Sequence, residues 1–530
     1  MSNRFPRRAF FHACGAGLLT AACGRRGSFF VPPRDPETLV LYDVSDPPTL
    51  DPARSWGFLD GRLVGLIFSN LVRFGRQAEI LPDLAREWRI TGDGLRYTFH
   101  LRPEARFTNG RPVAAGDIQY SFERVLDPET RSSTTWVIEK IQALEIHDDH
   151  TLTLRLAEPF APFLAMLAMP AAAVVPREIV EQRGRGGIPF GEQPLGSGPW
   201  ILREWKHDQY VEFIRDEAYW GTKPKLRRLR YRVIGNPFTA IAEFETGNIS
   251  AIIPLPIEEI PRWSTHPRWK SFTRRQPLLH TDMILFNCSK SPLDQLELRR
   301  ALVQAIDTPL VLKSVREGAG SVSTGPIPPG LSGSIEQSTI KPIPKEEIEA
   351  VLERSGLRQR GLDLIMPSRE NFVRTTGEVI QALWKERGVP VRLRRLEWVS
   401  YRQALQQGDF DAAFRGWFAD YPDGDNFLYP LFHSSQIGAG NMSRFRDARI
   451  DDLIEQSQHE LDPARREALL RQANQAVYEA APALFLWHQA NYYVTQPWLH
   501  GFSEPLVFNG TRYLEEYIAM PDSPVDSMGA

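Results

Sequence analysis

The sequence predicts an α/β fold that is divided into more than one domain. The chain has 530 residues, which is longer than a single hydrophobic core usually serves, so two or three domains are expected. Strand-like and helix-like segments alternate in the C-terminal half, with a strand at 361–366, a helix at 376–387 and a strand at 389–396. Residues 152–156 alternate leucines with polar residues, which is typical of a strand that buries one face.

Several elements are predicted in the N-terminal half. An apolar run at 39–44 indicates a strand, and apolar residues at helical spacing within 59–74 indicate a helix. Aromatic and apolar residues at every second position of 97–101 predict a second strand. Asp117 is the expected N-cap of an amphipathic helix that follows it.

The rest of the chain continues the mixed pattern. Residues 318–341 are rich in Gly, Ser and Pro and too long for a simple connection, so a surface loop or lid is predicted there. The other predicted elements are strands at 211–215, 229–234, 412–418 and 484–488, and helices at 239–246, 298–306 and 463–480.

The N-terminus predicts export and a lipid anchor. Residues 1–22 have a basic start, an apolar run and small residues before Cys23, which is the pattern of a secretory signal peptide. The pair Arg7-Arg8 resembles a twin-arginine signal, and the residues before Cys23 resemble a bacterial lipobox. Lipidation of Cys23 would hold the protein at a membrane outside the cytoplasm; the alternative is an ordinary cleaved signal. Residues 23–36, rich in Gly and Pro, are predicted to form a tether.

Composition and motifs exclude several classes of function. The formal net charge is −2 and no run of basic residues follows the leader, so neither nucleic acid nor an anionic membrane surface is an expected partner. Cys288 is the only cysteine after Cys23, so no internal disulfide is expected in the body of the protein. The histidines are scattered, and no HExxH, Gly-x-Ser-x-Gly or Walker-type motif is present. We therefore expect neither a metal, a cofactor nor a catalytic site.

Asp420 is the strongest candidate binding residue. It follows the predicted strand at 412–418 and precedes the sequence Tyr-Pro-Asp-Gly at 421–424, which predicts a tight turn. A carboxylate beside Trp417, Phe418 and Tyr421 is unfavourable unless a positive group answers it. We predict that this group is a ligand ammonium; the alternative is that Asp420 only caps the turn. The acids at 420, 423 and 425 do not have the spacing of an EF-hand, which argues against calcium.

Ordered motifs along the mature chain resemble one protein family. These motifs are Pro-Thr-Leu-Asp-Pro at 48–52, Leu-Pro-Asp-Leu-Ala-Arg-Glu-Trp at 81–88, Tyr-Thr-Phe-His-Leu-Arg at 97–102, Phe-Thr-Asn-Gly at 107–110, Ala-Gly-Asp-Ile at 115–118, Gly-Ser-Gly-Pro-Trp at 196–200, Tyr-Trp-Gly at 219–221, Arg-Arg-Ala at 299–301, and 417–425. Together they resemble the family 5 extracellular solute-binding proteins, the oligopeptide-, dipeptide- and nickel-binding type of bacterial ABC importers. Residues 247–250, Gly-Asn-Ile-Ser, depart from the usual Gly-Glu-Ile-Asp.

The resemblance implies an architecture. It predicts an α/β, two-lobed periplasmic-binding-protein fold (type II, the three-domain cluster C-like variant) with a ligand cleft between the lobes. Domain I would be discontinuous, formed by 37–75, 190–275 and 490–530. Domain II would be an insertion at 76–189, and domain III would span 276–489.

The resemblance also assigns candidate ligand contacts. Asp420 matches the residue that pairs with the peptide ammonium in peptide-binding members, and the peptide groups of Gly416 and Phe418 would pair with the ligand backbone. Trp398, Trp417, Trp136 and Tyr421 would wall side-chain pockets, unless they only pack in the core, and Trp56 and Phe58 match the cleft floor. Arg369 matches the carboxylate-binding position of dipeptide-binding relatives, with Arg374 in reserve; the alternative is a solvated loop arginine.

The function implied is that of the solute-binding component of an ABC importer. Such a protein would be an exported, lipid-anchored monomer and no enzyme. It would capture short peptides in the cleft and deliver them to the permease subunits. Two alternatives remain: a metal chelate, sugar or opine as the solute, or an extracytoplasmic hydrolase or scaffold on the same fold.

Overall fold

Three main β-sheets organise the chain. The computed structural model describes residues 31–55, 57–337, 342–368 and 371–519. The predicted leader, Cys23 and most of the tether therefore lie outside the described residues. The first sheet has four strands, in the order Thr38–Asp43, Arg228–Val233, Tyr210–Arg215 and Trp200–Lys206. Its first pair is parallel and the other two pairs are antiparallel.

The second sheet is antiparallel and is built from a single stretch of chain. Its four strands lie in the order Ala85–Ile90, Arg96–Leu101, Thr151–Leu156 and Ile141–Asp148. In Arg96–Leu101, Tyr97, Phe99 and Leu101 are buried and their neighbours are half-buried, so the predicted one-sided strand is present. Two smaller pairs complete the antiparallel structure, Val72–Phe74 with Ile80–Pro82 and Leu499–His500 with Tyr517–Ile518.

The third sheet is mixed and has seven strands. Its order is Ala251–Ile252, Ala483–Thr495, Thr273–Phe286, Ala412–Phe418, Leu362–Pro367 and Val391–Leu396, and Gly320–Val322 also pairs with Ala483–Thr495. The two long strands at its centre are antiparallel, and their register shifts between Pro277 and Thr281. Leu362–Pro367 lies parallel to both of its neighbours.

The helices lie around these sheets. Their bounds are Phe58–Ile67, Ala115–Leu126, Phe163–Leu167, Arg177–Arg185, Pro237–Glu245, Ile260–Thr265, Leu296–Gln304, Thr308–Arg316, Lys345–Arg354, Leu357–Arg360, Asn371–Glu386, Trp398–Gln407, Asp425–Phe432, Ala448–His459 and Pro463–Ala480. Within the described residues, no helix is both long enough and apolar enough to cross a membrane.

Two elements were predicted with their observed bounds, whereas a third was predicted too long. Ala412–Phe418 and Pro463–Ala480 have the bounds expected from the sequence. The helix predicted over 59–74 is too long, because it ends at Ile67. Beyond it, the Asn70 amide donates to the carbonyls of Leu167 and Met169. These long-range hydrogen bonds hold the backbone out of the helix, which shows tertiary contacts overriding local spacing.

Two local predictions are wrong. Asp117 is not the N-cap of its helix but its third residue, and its carboxylate accepts from the Ala114 amide at 2.9 Å and from Arg111. The loop at 318–341 is not only a surface loop, because Gly320–Val322 joins the third sheet and Ile327 is buried. A short strand of Gly, Ser and Val has too little periodicity to be found from the sequence.

Buried ion pairs fix the C-terminal segment to the first half of the chain. The Arg512 guanidinium donates to both oxygens of Asp83, at 2.9 and 2.6 Å, and also to the Phe68 carbonyl. Both side chains are buried. Arg62 with Glu504 and Arg76 with Glu516 make two further connections, in which the acid is buried and the arginine is partly exposed. Because both charges of the Arg512–Asp83 pair are desolvated, each depends on the other.

Removing one member of the buried pair should therefore be costly. We expect Arg512→Met to lower the free energy of unfolding by about 3–5 kcal/mol, since Asp83 would be left buried without its cation. Urea denaturation followed by tryptophan fluorescence measures the change. Arg86→Met is the matched control, because Arg86 is exposed and only 3.7 Å from exposed Glu87, and it should change stability by less than about 0.5 kcal/mol. Equal losses in the two variants would contradict the structural role of the pair.

Candidate ligand-binding cleft

The site is organised by the strand Ala412–Phe418, which is paired fully on one side only. On that side it runs antiparallel to Thr273–Phe286 along its whole length. On the other side, Leu362–Pro367 pairs only with Ala412 and Ala413. The first half of the strand is buried between these neighbours, whereas the residues of its second half are partly exposed. One edge of residues 414–418 therefore has no strand partner.

The peptide groups of Gly416 and Phe418 lie on this open edge. The Ala419 amide donates to the Leu279 carbonyl, so residue 419 faces the paired side. Backbone groups of successive strand residues alternate between the two sides, which places those of 416 and 418 on the open side. The Phe414 carbonyl, on the same side, accepts from the Tyr401 hydroxyl. The backbone is therefore available to an added strand at the two predicted residues.

Three adjoining cavities surround this edge. The large cavity has a volume of about 960 Å³. It is lined by residues within 133–171, beside the second sheet, and by residues within 398–458, beside the third sheet. The second cavity, about 510 Å³, lies along Gly416 and Phe418 and shares Trp398 and Trp417 with the first. A third cavity of about 250 Å³ shares Phe418 with the second. Together they form one cleft between two parts of the molecule.

Asp420 lines the large cavity and forms no ion pair with the described residues. Its exposed surface faces the cavity, and its backbone amide donates to Asn426 Oδ1 at 2.9 Å. Asn426 Nδ2 donates to the carboxylate at 3.3 Å, and in the described part of the chain no cation lies within 4 Å of it. Burial raises the pKa of Asp420 to about 6, against the small opposing effect of the Asn426 bond. The carboxylate thus faces the cavity with no cation of the described residues within 4 Å.

The neighbouring acids are already engaged. Asp423 forms a two-bond ion pair with Arg466, at 2.7 and 2.8 Å. Asp425 accepts from the Tyr421 hydroxyl at 2.7 Å and from Gln458 at 2.9 Å, and burial raises its pKa to about 6. Asp425 begins the helix Asp425–Phe432, which the sequence interpretation missed. In the described residues, no group of three His, Cys, Asp or Glu side chains is placed to hold a metal ion.

The turn predicted at 421–424 is present only as a bend. The Asp423 amide donates to the Tyr421 carbonyl at 2.9 Å, and Gly424 has an ordinary helical φ of −60°. Glycine is needed there for space instead, since a Cβ would lie 2.4 Å from the Ser332 carbonyl oxygen. Asp420 bonds to the helix residue Asn426, so it belongs to the link between strand and helix.

The predicted aromatic residues also reach the cleft. Trp136, from the part of the chain around the second sheet, lies 6.1 Å from Tyr421 between ring centres. Trp417 Nε1 donates to Asn426 Oδ1 at 3.1 Å, and Trp398 stacks on Tyr401 at 5.8 Å. Trp136, Trp398, Trp417 and Tyr421 all line the large cavity. Tyr421 is also buried in the hydrophobic core, so this residue both lines the cavity and packs in the core.

The remaining predicted residues have different outcomes. Phe58 contacts Phe418 edge to face at 4.5 Å and lines the smallest cavity. Arg374 lies on the helix Asn371–Glu386, 3.5 Å from Glu378, and lines none of the three cavities, so it is poorly placed as a reserve. Trp56 and Arg369 lie outside the described residues.

Sequence reasoning missed the arginine, histidine and aspartate residues of the second cavity. Arg402, Arg415, His280 and Asp282 all line it. Arg415 carried a detectable signal, since a cation inside an apolar strand requires an explanation. Arg402 carried none, because it lies on an ordinary amphipathic helix. His280 and Asp282 come from a strand that pairs with Ala412–Phe418, and only the pairing brings them to the site.

Comparison with known proteins identifies the family. The profile of the bacterial extracellular solute-binding proteins, family 5, matches residues 79–439. Heme-binding protein A of Haemophilus influenzae is 29% identical over 463 residues, covering 82% of this chain and 84% of that protein. The dipeptide-binding protein of Escherichia coli is 29% identical over 453 residues, covering 80% and 83%.

A solved structure agrees with these sequence matches. The periplasmic binding protein DppA of Helicobacter pylori, in complex with the peptide STSA, superimposes with a TM-score of 0.78 at 26% identity, covering 91% of this chain and 98% of that one. The α/β fold with two lobes, and a binding rather than an enzymatic role, are thereby confirmed as predicted. The match over most of its length shows that this chain belongs to family 5 of the bacterial extracellular solute-binding proteins, the binding components of ABC importers.

Proposed function

We propose that this protein captures a short peptide by its α-ammonium group and its main chain. The observation that carries the proposal is the Asp420 carboxylate, which faces the large cavity and, among the described residues, has no cation within 4 Å. A ligand ammonium would bring the missing charge, and the low dielectric of an enclosed cleft would strengthen the pair. The dipeptide-binding relative and the peptide-bound DppA support the choice of a peptide over other cations.

The open strand edge would supply the second part of the binding. An extended peptide that pairs with the backbone of Gly416 and Phe418 would gain hydrogen bonds that do not depend on its side chains. Its side chains would enter the three cavities, whose aromatic walls offer contact area without demanding a specific partner. Such a site would accept many sequences while recognising the peptide terminus strictly.

Closure of the lobes would report that a ligand is bound. We assign domain I to 37–75, 190–275 and 490–530, domain II to 76–189 and domain III to 276–489, because each contains one main sheet. The strands Thr273–Phe286 and Ala483–Thr495 cross between domains I and III, and their register shift at Pro277 offers a place to bend. A peptide that contacts both sides of the cleft would favour the closed form, which the permease would recognise.

The cellular setting follows from the leader. A signal at 1–22, by the twin-arginine or the general route, would export the protein, and lipidation of Cys23 would tether the monomer through residues 23–36. This arrangement would keep the cleft in solution close to the permease.

Mass spectrometry of molecules that co-purify with the exported protein tests the proposal directly. We expect a set of short peptides of mixed sequence, released by mild denaturation. A single metal chelate, sugar or opine would replace the peptide with that solute and remove the ammonium role of Asp420. A peptide that the protein chemically converts would instead support the hydrolase alternative.

The ammonium role predicts a selective loss on mutation. Asp420→Ala should weaken binding of an alanine tripeptide with a free amino terminus by roughly 30-fold or more, since truncating one partner of a buried charge pair costs about 2–5 kcal/mol. The same mutation should have a much smaller effect on the N-acetylated tripeptide, which has no ammonium. Isothermal titration measures both affinities. Asp294→Ala, at an exposed turn, is the control, and equal losses for the two peptides would rule out the pairing.

The raised pKa of Asp420 also predicts a pH-dependent change in the stability of the empty protein. Its folded pKa of about 6 lies above the value of about 3.9 in an unfolded chain. Ionisation therefore destabilises the folded state as the pH rises from about 4 to about 6, and the cost is complete above this range. We expect Asp420→Asn to remove this cost, and so to gain more stability at pH 7.5 than at pH 4.

Urea denaturation of protein refolded without ligand measures this difference. The gain at pH 7.5 should exceed that at pH 4 by about 1 kcal/mol, because water in the cavity reduces the full effect of the shift. Asp294→Asn should show no such difference. A gain that is the same at both pH values would mean that the Asp420 carboxylate is well solvated.

A further inference from the structure

The third cavity combines apolar walls with an excess of acidic groups. Most of the side chains that line its volume of about 250 Å³ are aliphatic or aromatic, among them Leu279 and Phe418. The charged side chains that line it, among the described residues, are Asp43, Arg62 and Glu504. Two negative groups therefore face this small apolar space together with one positive group.

The protein already uses the one cation of this cavity. Arg62 Nη2 donates to Glu504 Oε1, and Arg62 Nε donates to the Phe508 carbonyl at 3.3 Å. This ion pair connects the helix Phe58–Ile67 to the C-terminal segment. Because Arg62 neutralises only one of the two acids, the cavity keeps a net negative charge.

Acceptor atoms of both acids remain without a cation. Glu504 is only 8% exposed, and its Oε2 accepts no hydrogen bond from the described residues. Half-buried Asp43 accepts from the Ser45 amide at 3.3 Å, and in the described part of the chain no cation lies within 4 Å of its carboxylate. Burial raises the pKa of Asp43, against the smaller opposing effects of the Ser45 amide and the Arg62 charge. A donor that entered the cavity would therefore find acceptors that the protein leaves free.

The third cavity lies beside the open strand edge. Phe418 lines both this cavity and the second one, and Phe58 contacts Phe418 from the opposite side at 4.5 Å. Side chains of an extended peptide point alternately to opposite sides. A peptide that pairs with the backbone of Gly416 and Phe418 would thus direct one of its side chains toward this cavity.

We infer that the third cavity is a subsite for a long basic side chain of the ligand, lysine or arginine, whose cation is bound by Asp43 and Glu504 Oε2. This inference rests on the proposed function, since it places the side chain on the peptide whose ammonium pairs with Asp420. The methylene stem of such a side chain covers apolar surface while its head keeps polar partners, which matches apolar walls with acidic groups. An aliphatic side chain would leave the acids without a donor, and an acidic one would add a third negative charge.

Isothermal titration with matched tripeptides tests this subsite. Lysine is placed in turn at each position of Ala-Ala-Ala and is compared with norleucine at the same position, which has the same stem but no ammonium. We expect the wild-type protein to prefer lysine by about tenfold or more at one position, as is typical of hydrogen bonds between charged groups. Asp43→Asn keeps the size of the side chain and should remove most of that preference.

Two further variants complete the test. Leu506→Lys places a cation of the protein itself on the wall of the cavity, at a half-buried position, and should also remove the preference for lysine. Asp208→Asn is the matched control, because Asp208 is exposed and lines none of the three cavities. It should leave the preference unchanged.

The outcomes separate this subsite from the proposed function. Equal affinity for the lysine and norleucine peptides at all three positions would overturn the basic subsite and leave peptide capture intact. A preference for lysine that persists in both Asp43→Asn and Leu506→Lys would also overturn it, because the ammonium would then bind elsewhere, as at Asp420. Binding of none of the peptides would overturn both proposals.

Discussion

The site depends on one incomplete pairing, that of the strand Ala412–Phe418. Its neighbour Leu362–Pro367 covers only the first two residues, so the sheet ends in mid-strand. An open edge normally invites unwanted association, and proteins protect such edges by covering them. Here the edge lies inside a cleft between the two lobes, where only a molecule small enough to enter can pair with it. Under the proposed function, the geometry that would be a liability on the surface would serve as a binding edge within the cleft.

Charge in this cleft is kept apart at a cost in stability. Asp420 faces the cleft and Arg415 is half-buried beside it, yet within the described residues neither has an oppositely charged partner within 4 Å. Nearby, Asp423 with Arg466 and Asp83 with Arg512 show that the chain pairs its buried charges where no ligand is involved. The paired charges therefore stabilise the fold, whereas the unpaired charges of the cleft are available to a ligand. The unpaired charges make the empty cleft less favourable than a cleft in which a ligand pairs with them. A ligand that supplies these charges would therefore drive closure.

The sequence allowed the fold to be predicted better than the site. Ala412–Phe418 is an apolar run bounded by turn signals, and Pro463–Ala480 has apolar residues at helical spacing, so local patterns were sufficient. The helix that ends at Ile67 was overestimated, because Asn70 bonds to residues about a hundred positions away. Asp420 could be found because a carboxylate among aromatics is unusual in any context. Arg402 could not, since a helix arginine facing a cavity has the same local sequence as one facing solvent.

The C-terminal ion pairs explain how a cleft can close without losing its geometry. Arg62, Arg76 and Arg512 bind acids that are distant in sequence and fix the last described segment against the first half of the chain. A tail that is fixed in this way cannot follow the third sheet when that sheet moves. In the proposed closure, motion would then be confined to the two long strands, where the register shift at Pro277 interrupts the regular pairing. Because Ala412–Phe418 pairs with one of these strands beyond the shift, its open edge would move as a rigid unit toward the opposite wall.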